Sequence, residues 1–164
     1  MKETAGTVIQ TANDLIQKLS IESSWSRNML SLLRYSLTTG EESPEVWGWI
    51  FTETPEELSG TDGQVSCEEK AIYLALCLYA NAGGGKQTDK TMVETMKMLD
   101  MDRTLLLQVE LSETLEDMRI PLYMLVQGIA LQGRTFSFAK LAGDLYLFQL
   151  DRMQVIRKWE REII

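Results

Sequence analysis

Apolar residues recur along this chain at spacings of three and four, the signature of helices with one buried face. Val8, Ala12, Leu15, Ile16 and Leu19 mark a helix over 4–19. Trp25, Met29, Leu32, Leu33 and Leu37 mark another over 24–37, and Gly40 stops it. Ser43-Pro44-Glu45 reads as an N-cap with proline at the first helical position, opening a short helix through Trp47, Ile50 and Phe51. Thr54 to Leu58 repeats that signal for about one turn, and 59–63 is loop. Ser66 with Glu69 forms a capping box for a helix from Cys67 to Asn81 that is apolar on most sides, which marks it as central.

Gly83-Gly84-Gly85 follows as a flexible link and the best boundary between two lobes, 1–84 and 85–164. Beyond it, 89–99 and 103–110 read as short helices. Ser112 is expected to cap a longer helix carrying Leu115, Met118, Leu122, Leu125, Val126 and Ile129, with Pro121 kinking or breaking it. Phe138, Leu141, Leu145 and Phe148 set the next helix. Asp151 is the N-cap of a last one, with Met153, Ile156 and Trp159 on its buried side and Arg157, Lys158 and Arg161 toward solvent. No stretch alternates with the period of a strand. The expected fold is all-α, a two-lobed bundle of about eight to nine helices.

Composition narrows the chemistry. The 164 residues carry no histidine and two cysteines, Cys67 and Cys77. Ten residues apart on one helix, these lie about 15 Å apart, beyond disulfide reach, and two thiolates without histidine do not make a zinc site. We expect no metal and no cofactor. Gly83 to Thr88 imitates a phosphate loop, but Ala80 and Gln87 stand where that motif needs glycine and a hydroxyl residue. Adjacent carboxylates such as Glu56/Glu57 diverge on a helix, and serines lack a histidine base, so an enzyme is not expected. No apolar run is long enough to span a membrane, and the N-terminus has no apolar leader; the expected location is the cytoplasm.

Sixteen basic residues against 24 acidic ones give a net charge of −8, which taken whole argues against a nucleic-acid binder. The acidity is concentrated: 41–69 holds nine acids and no base, whereas 119–164 holds seven bases and four acids. Other faces can therefore be locally positive. The candidate phosphate contacts are Arg27 and Arg34 on one helix face, Lys86, Lys90 and Lys97 at the start of the second lobe, Arg103, and Arg119, Arg134 and Lys140 around the long helix and the turn after it. Trp47, Trp49 and Tyr146 read as core residues and not as platforms for bases.

Leu141-Ala-Gly-Asp-Leu-Tyr146 with Phe148-Gln149 and Arg157-Lys158-Trp159 resembles the C-terminus of the CasB family, the small subunit of the type I-E CRISPR surveillance complex, Cascade. Arg27 to Arg34 resembles that family's early Arg-bearing helix, Trp49-Ile-Phe51 its aromatic pair, Glu69 to Tyr79 its central helix, and Thr114 to Met118 with Leu125-Val126 its next long helix. The resemblance implies a non-catalytic helical subunit that pairs head to tail, joins the other Cascade subunits, and contacts the backbones of guide RNA, target DNA and displaced strand. The alternative is a helical protein–protein scaffold that meets no nucleic acid.

Overall fold

The structure, a computed structural model, describes residues 2–164. In order it forms α1 (Lys2–Ser20), α2 (Ser24–Thr39), α3 (Pro44–Glu53), a 3-10 turn (Glu56–Leu58), α4 (Cys67–Asn81), α5 (Met92–Met98), α6 (Thr104–Leu111), α7 (Leu115–Leu131), α8 (Phe138–Leu150) and α9 (Arg152–Ile163). There are nine α-helices and no strand among the described residues.

Helix ends follow side-chain chemistry. Ser66 Oγ accepts the Glu69 N–H at 3.0 Å, and the Glu69 carboxylate accepts the Ser66 N–H at 2.9 Å and the Gly60 N–H at 3.2 Å. One buried carboxylate thus caps α4 and closes the acidic loop before it. Thr91 and Glu94 cap α5 in the same way. Ser112 does not cap α7. Its backbone is extended and its Oγ donates back to the Gln108 carbonyl, so it ends α6, and Thr114 caps α7 by accepting the Asp117 N–H. Helix α7 runs on through Pro121. Proline removes the donor to the Asp117 carbonyl, and Asp117 lies in the exposed first turn of the helix.

Helix α4 is the centre: every residue from Ala71 to Ala80 is buried. Helices α1, α2, α7 and α8 pack around it. Helix α8 lies in the groove between α1 and α4, so the two halves of the chain share one core. That closeness depends on Gly143, where an added Cβ would stand 2.7 Å from Ile9 Cγ1 of α1. Helices α6 and α7 form a hairpin, and α9 folds back on α8 and α5.

The buried side of α9 differs from expectation. Val155 and Trp159 point inward, Ile156 is half-buried and Met153 is half-exposed. The register is set by Asp144 of α8, whose carboxylate accepts the Trp159 indole N–H at 2.9 Å and pairs with Lys158 at 2.7 Å. Trp25 is likewise turned outward, meeting Trp49 edge-on. Tyr146 is core, while Trp47 and Trp49 are partly buried against it. Both cysteines are free thiols; Cys77 is buried and Cys67 half-buried. No helix among the described residues is long and apolar enough to cross a membrane.

Candidate nucleic-acid interface

Six of the nine expected cations, Arg34, Lys86, Lys90, Lys97, Arg134 and Lys140, have no carboxylate within ion-pair distance among the described residues. All six are exposed. For a chain of net charge −8 this is a selective arrangement, because carboxylates outnumber cations three to two.

The loop after α4 organises several of them. Arg27, Leu30 and Arg34 share the outer face of α2, and Leu30 lies against Gly84. Gly84 has φ +66°, its carbonyl accepts the Tyr79 hydroxyl at 2.6 Å, and Arg34 reaches the Ala80 carbonyl at 3.5 Å. Three residues further on, Gln87 is fastened on both sides: its amide donates to Asn13 of α1 at 2.8 Å and accepts the Ala139 N–H of α8 at 3.3 Å. The Lys90 carbonyl accepts the Ser137 N–H at 2.7 Å, and the Lys140 ammonium donates to the Asp89 carbonyl at 2.5 Å. The glycine-rich link is therefore pinned. It strings Lys86 and Lys90 between the α2 face bearing Arg27 and Arg34 and the start of α8 bearing Lys140. The carboxyl of Glu94 is held below its ordinary range chiefly by the Thr91 N–H, with help from the positive charges of Lys90 and Lys140.

The other candidates divide. Arg27 pairs with Glu22 at 3.4 Å, both largely in solvent, a contact that water and salt weaken to little. Lys97 lies on the outer side of α5 and Arg134 in the loop between α7 and α8. Arg103 is engaged by Glu160 of α9. Arg119, mostly buried, donates to the Leu37 carbonyl at the C-terminus of α2 and pairs with Glu116 at 3.3 Å. Its guanidinium fills the space beside Gly40, where a Cβ would come within 2.9 Å. Arg119 is thus committed to contacts within the chain, while Arg103, paired with Glu160, keeps 44% of its side chain exposed.

Gln87 and Asn13, which fix the loop, carry no signal in the sequence, since they lie 74 residues apart. A concavity of about 500 Å3 opens between α2, α4 and α7, lined by Tyr73, Cys77, Arg119 and several carboxylates. Burial, with the nearby charge of Glu42, pushes the Cys77 thiol up, so it stays protonated. No cluster of three or more metal-ligating side chains occurs among the described residues.

The family model described as CRISPR-associated protein Cse2 matches residues 30–162. The chain belongs to this family. The Cse2 match begins just after Arg27 and takes in the other eight candidate cations. The crystal structure of CasB from Thermobifida fusca superposes with a TM-score of 0.72 at 18% identity, covering 97% of this chain and 96% of that one, which shows a shared fold. No curated protein matches by sequence. Cse2 proteins are Cascade subunits, so the partners of this chain are other Cascade components.

Proposed function

We propose that this protein is a non-catalytic subunit of a type I-E Cascade that steadies the guide RNA–target DNA complex and the displaced strand by gripping phosphates. The observation that carries this reading is the set of six exposed cations without carboxylate partners among the described residues, four of them (Arg34, Lys86, Lys90 and Lys140) gathered around one pinned loop. Phosphate contacts position a strand and need no base readout, which suits a subunit of an assembly whose sequence specificity comes from guide pairing. Arg27, whose exposed ion pair is readily exchanged for a phosphate, joins Arg34, Lys86, Lys90, Lys97, Arg134 and Lys140 as proposed contacts. Head-to-tail pairing of two copies would extend the cationic row along the duplex, and a cytoplasmic location follows from the partners.

Binding of labelled single-stranded DNA by the purified chain at low and moderate salt tests this. Affinity should fall steeply with salt, and reversing Arg27 and Arg34 to glutamate should weaken binding and flatten the slope by roughly 0.7 per lost phosphate contact. Unchanged affinity in that variant removes the α2 face from the interface. No binding at low salt, with normal entry into the reconstituted complex, favours the scaffold reading.

A further inference from the structure

On the side of α3 turned away from the core lie Pro44, Gly48, Phe51 and Thr52, all exposed. The Phe51 ring, 47% exposed, stacks on Trp47 at 5.2 Å between centroids, and Trp47 packs on Tyr73 at 4.4 Å. The Tyr73 hydroxyl is fixed in turn by Ser36 at 2.7 Å and the Ser43 N–H at 2.8 Å. The outermost ring is thus the end of a stack anchored in the core, and it cannot turn inward to escape water. Trp25, 43% exposed against Trp49, widens the aromatic surface on the other flank of α3.

Gly48 stands in the middle of this face. A Cβ there would meet nothing within 4 Å, and its φ is not in the left-handed region, so no contact inside the chain calls for glycine. Glycine nevertheless weakens a helix interior relative to alanine. A partner whose backbone comes close to α3 at this low point accounts for it.

Charge selects that partner. Glu41, Glu42 and Glu45 precede or open α3, Glu56 and Glu57 follow it, and no base occurs from 41 to 69; among the described residues the base from elsewhere that pairs with α3 is Lys18, on Glu53. Rings rimmed by carboxylates complement lysine and arginine, whose stems lie on the rings while their cations meet the rim. Phosphates are repelled from the same surface.

We infer that the outer face of α3 docks a Lys- or Arg-bearing segment of another protein subunit of the assembly. This rests on membership of Cascade and not on the nucleic-acid contacts. Its aromatic flank reaches Trp25 of α2, but Gly48 and Phe51 lie on α3, which carries none of the proposed phosphate contacts, so variants at these two positions separate the two roles.

The test uses the full chain, added to the remaining Cascade protein subunits loaded with guide RNA, with entry into the complex followed by size exclusion. Phe51→Ala and Gly48→Gln should each weaken entry by about tenfold or more, and Glu45→Gln with Glu56→Gln should make entry less sensitive to salt. Gly48→Gln should at the same time raise the thermal midpoint of the free chain by roughly 1–4 °C, which rules out misfolding as the cause. Affinity for single-stranded DNA should not change in Phe51→Ala or Gly48→Gln. Unchanged entry in both variants overturns the inference. Loss of self-association in sedimentation, with entry retained, assigns the face to a second copy and also overturns it. Failure of the unmutated chain to enter the complex instead overturns its placement in the assembly.

Discussion

Asp144 is a buried carboxylate with two donors, the Trp159 indole and the Lys158 ammonium. These are the residues on which the family resemblance rests most strongly, and what they do is hold α9 on α8. Asp144→Ala would leave a buried indole N–H without an acceptor, so denaturant unfolding should show a loss of about 1–3 kcal/mol. A change below about 0.5 kcal/mol would mean that Trp159 finds another acceptor. A second carboxylate feature lies between α6 and α9. Glu110 Oε2 and Glu160 Oε2 are both buried and without a hydrogen-bond partner among the described residues. One proton shared between the two carboxyl groups satisfies both. Burial, followed by the hydrogen bond with Glu160 and then its charge, pushes Glu110 up to about 7, while Arg103 holds Glu160 below its ordinary range. Because Glu110 is raised on folding, the native state holds a proton that the unfolded chain has released. Its contribution is present at acidic pH and is lost as pH rises from about 4.5 toward 7. Melting of Glu110→Gln should lack that decline, leaving the variant more stable than the parent at pH 8. Parallel pH profiles would show that the pair does not share a proton.

Between elements, two close approaches decide the architecture. Gly143 lets α8 lie against Ile9 of α1, so Gly143→Ala should trade a helix-propensity gain for overpacking and lose about 1 kcal/mol net. Ile9→Ala in the same chain should relieve the overpacking, and a double-mutant cycle reads this as coupling; additive effects would show that α1 and α8 adjust freely. Arg119 ties α7 to the end of α2 through the Leu37 carbonyl, where a cation also meets the negative end of the helix. Arg119→Ala should cost about 1.5–3 kcal/mol of stability while leaving the salt slope of single-stranded DNA binding unchanged. A flatter slope would return Arg119 to the set of proposed phosphate contacts.

For the whole molecule, the balance of −8 and the local cationic row pull in opposite directions at long range. Neutralising Glu56, Glu57 and Asp62, which have no ion-pair partners among the described residues, should speed association with single-stranded DNA at low salt. The gain should disappear once screening shortens to about 8 Å near 0.15 M salt. Equal rates at low salt would mean that the acidic segment faces away from the approaching strand.

Much of the fold was legible in the residues. The apolar spacing of most helices, the Ser66–Glu69 box, proline after Ser43 and the mostly apolar α4 each depend on neighbours within one or two turns, and each appears where the sequence places it. The misreadings were also local. Ser112 and Thr114 both qualify as caps, and only the backbone turn between α6 and α7 chooses Thr114. Met153 and Val155 both fit a helical period, and Asp144, reaching from another helix, selects the side with Val155.

The chain by itself therefore determined the helices, their order, the central place of α4 and the segregation of acid into 41–69, because capping, periodicity and composition act over short sequence distances. Tertiary structure alone decided which cations remain available. Arg119 and Arg34 look alike in sequence, and each reaches a distant carbonyl, but Arg119 is mostly buried and paired with Glu116, whereas Arg34 is exposed beside the pinned loop and has no carboxylate partner among the described residues. A charge is used up or left free by whatever folds against it, and that partner is set by packing over the whole chain.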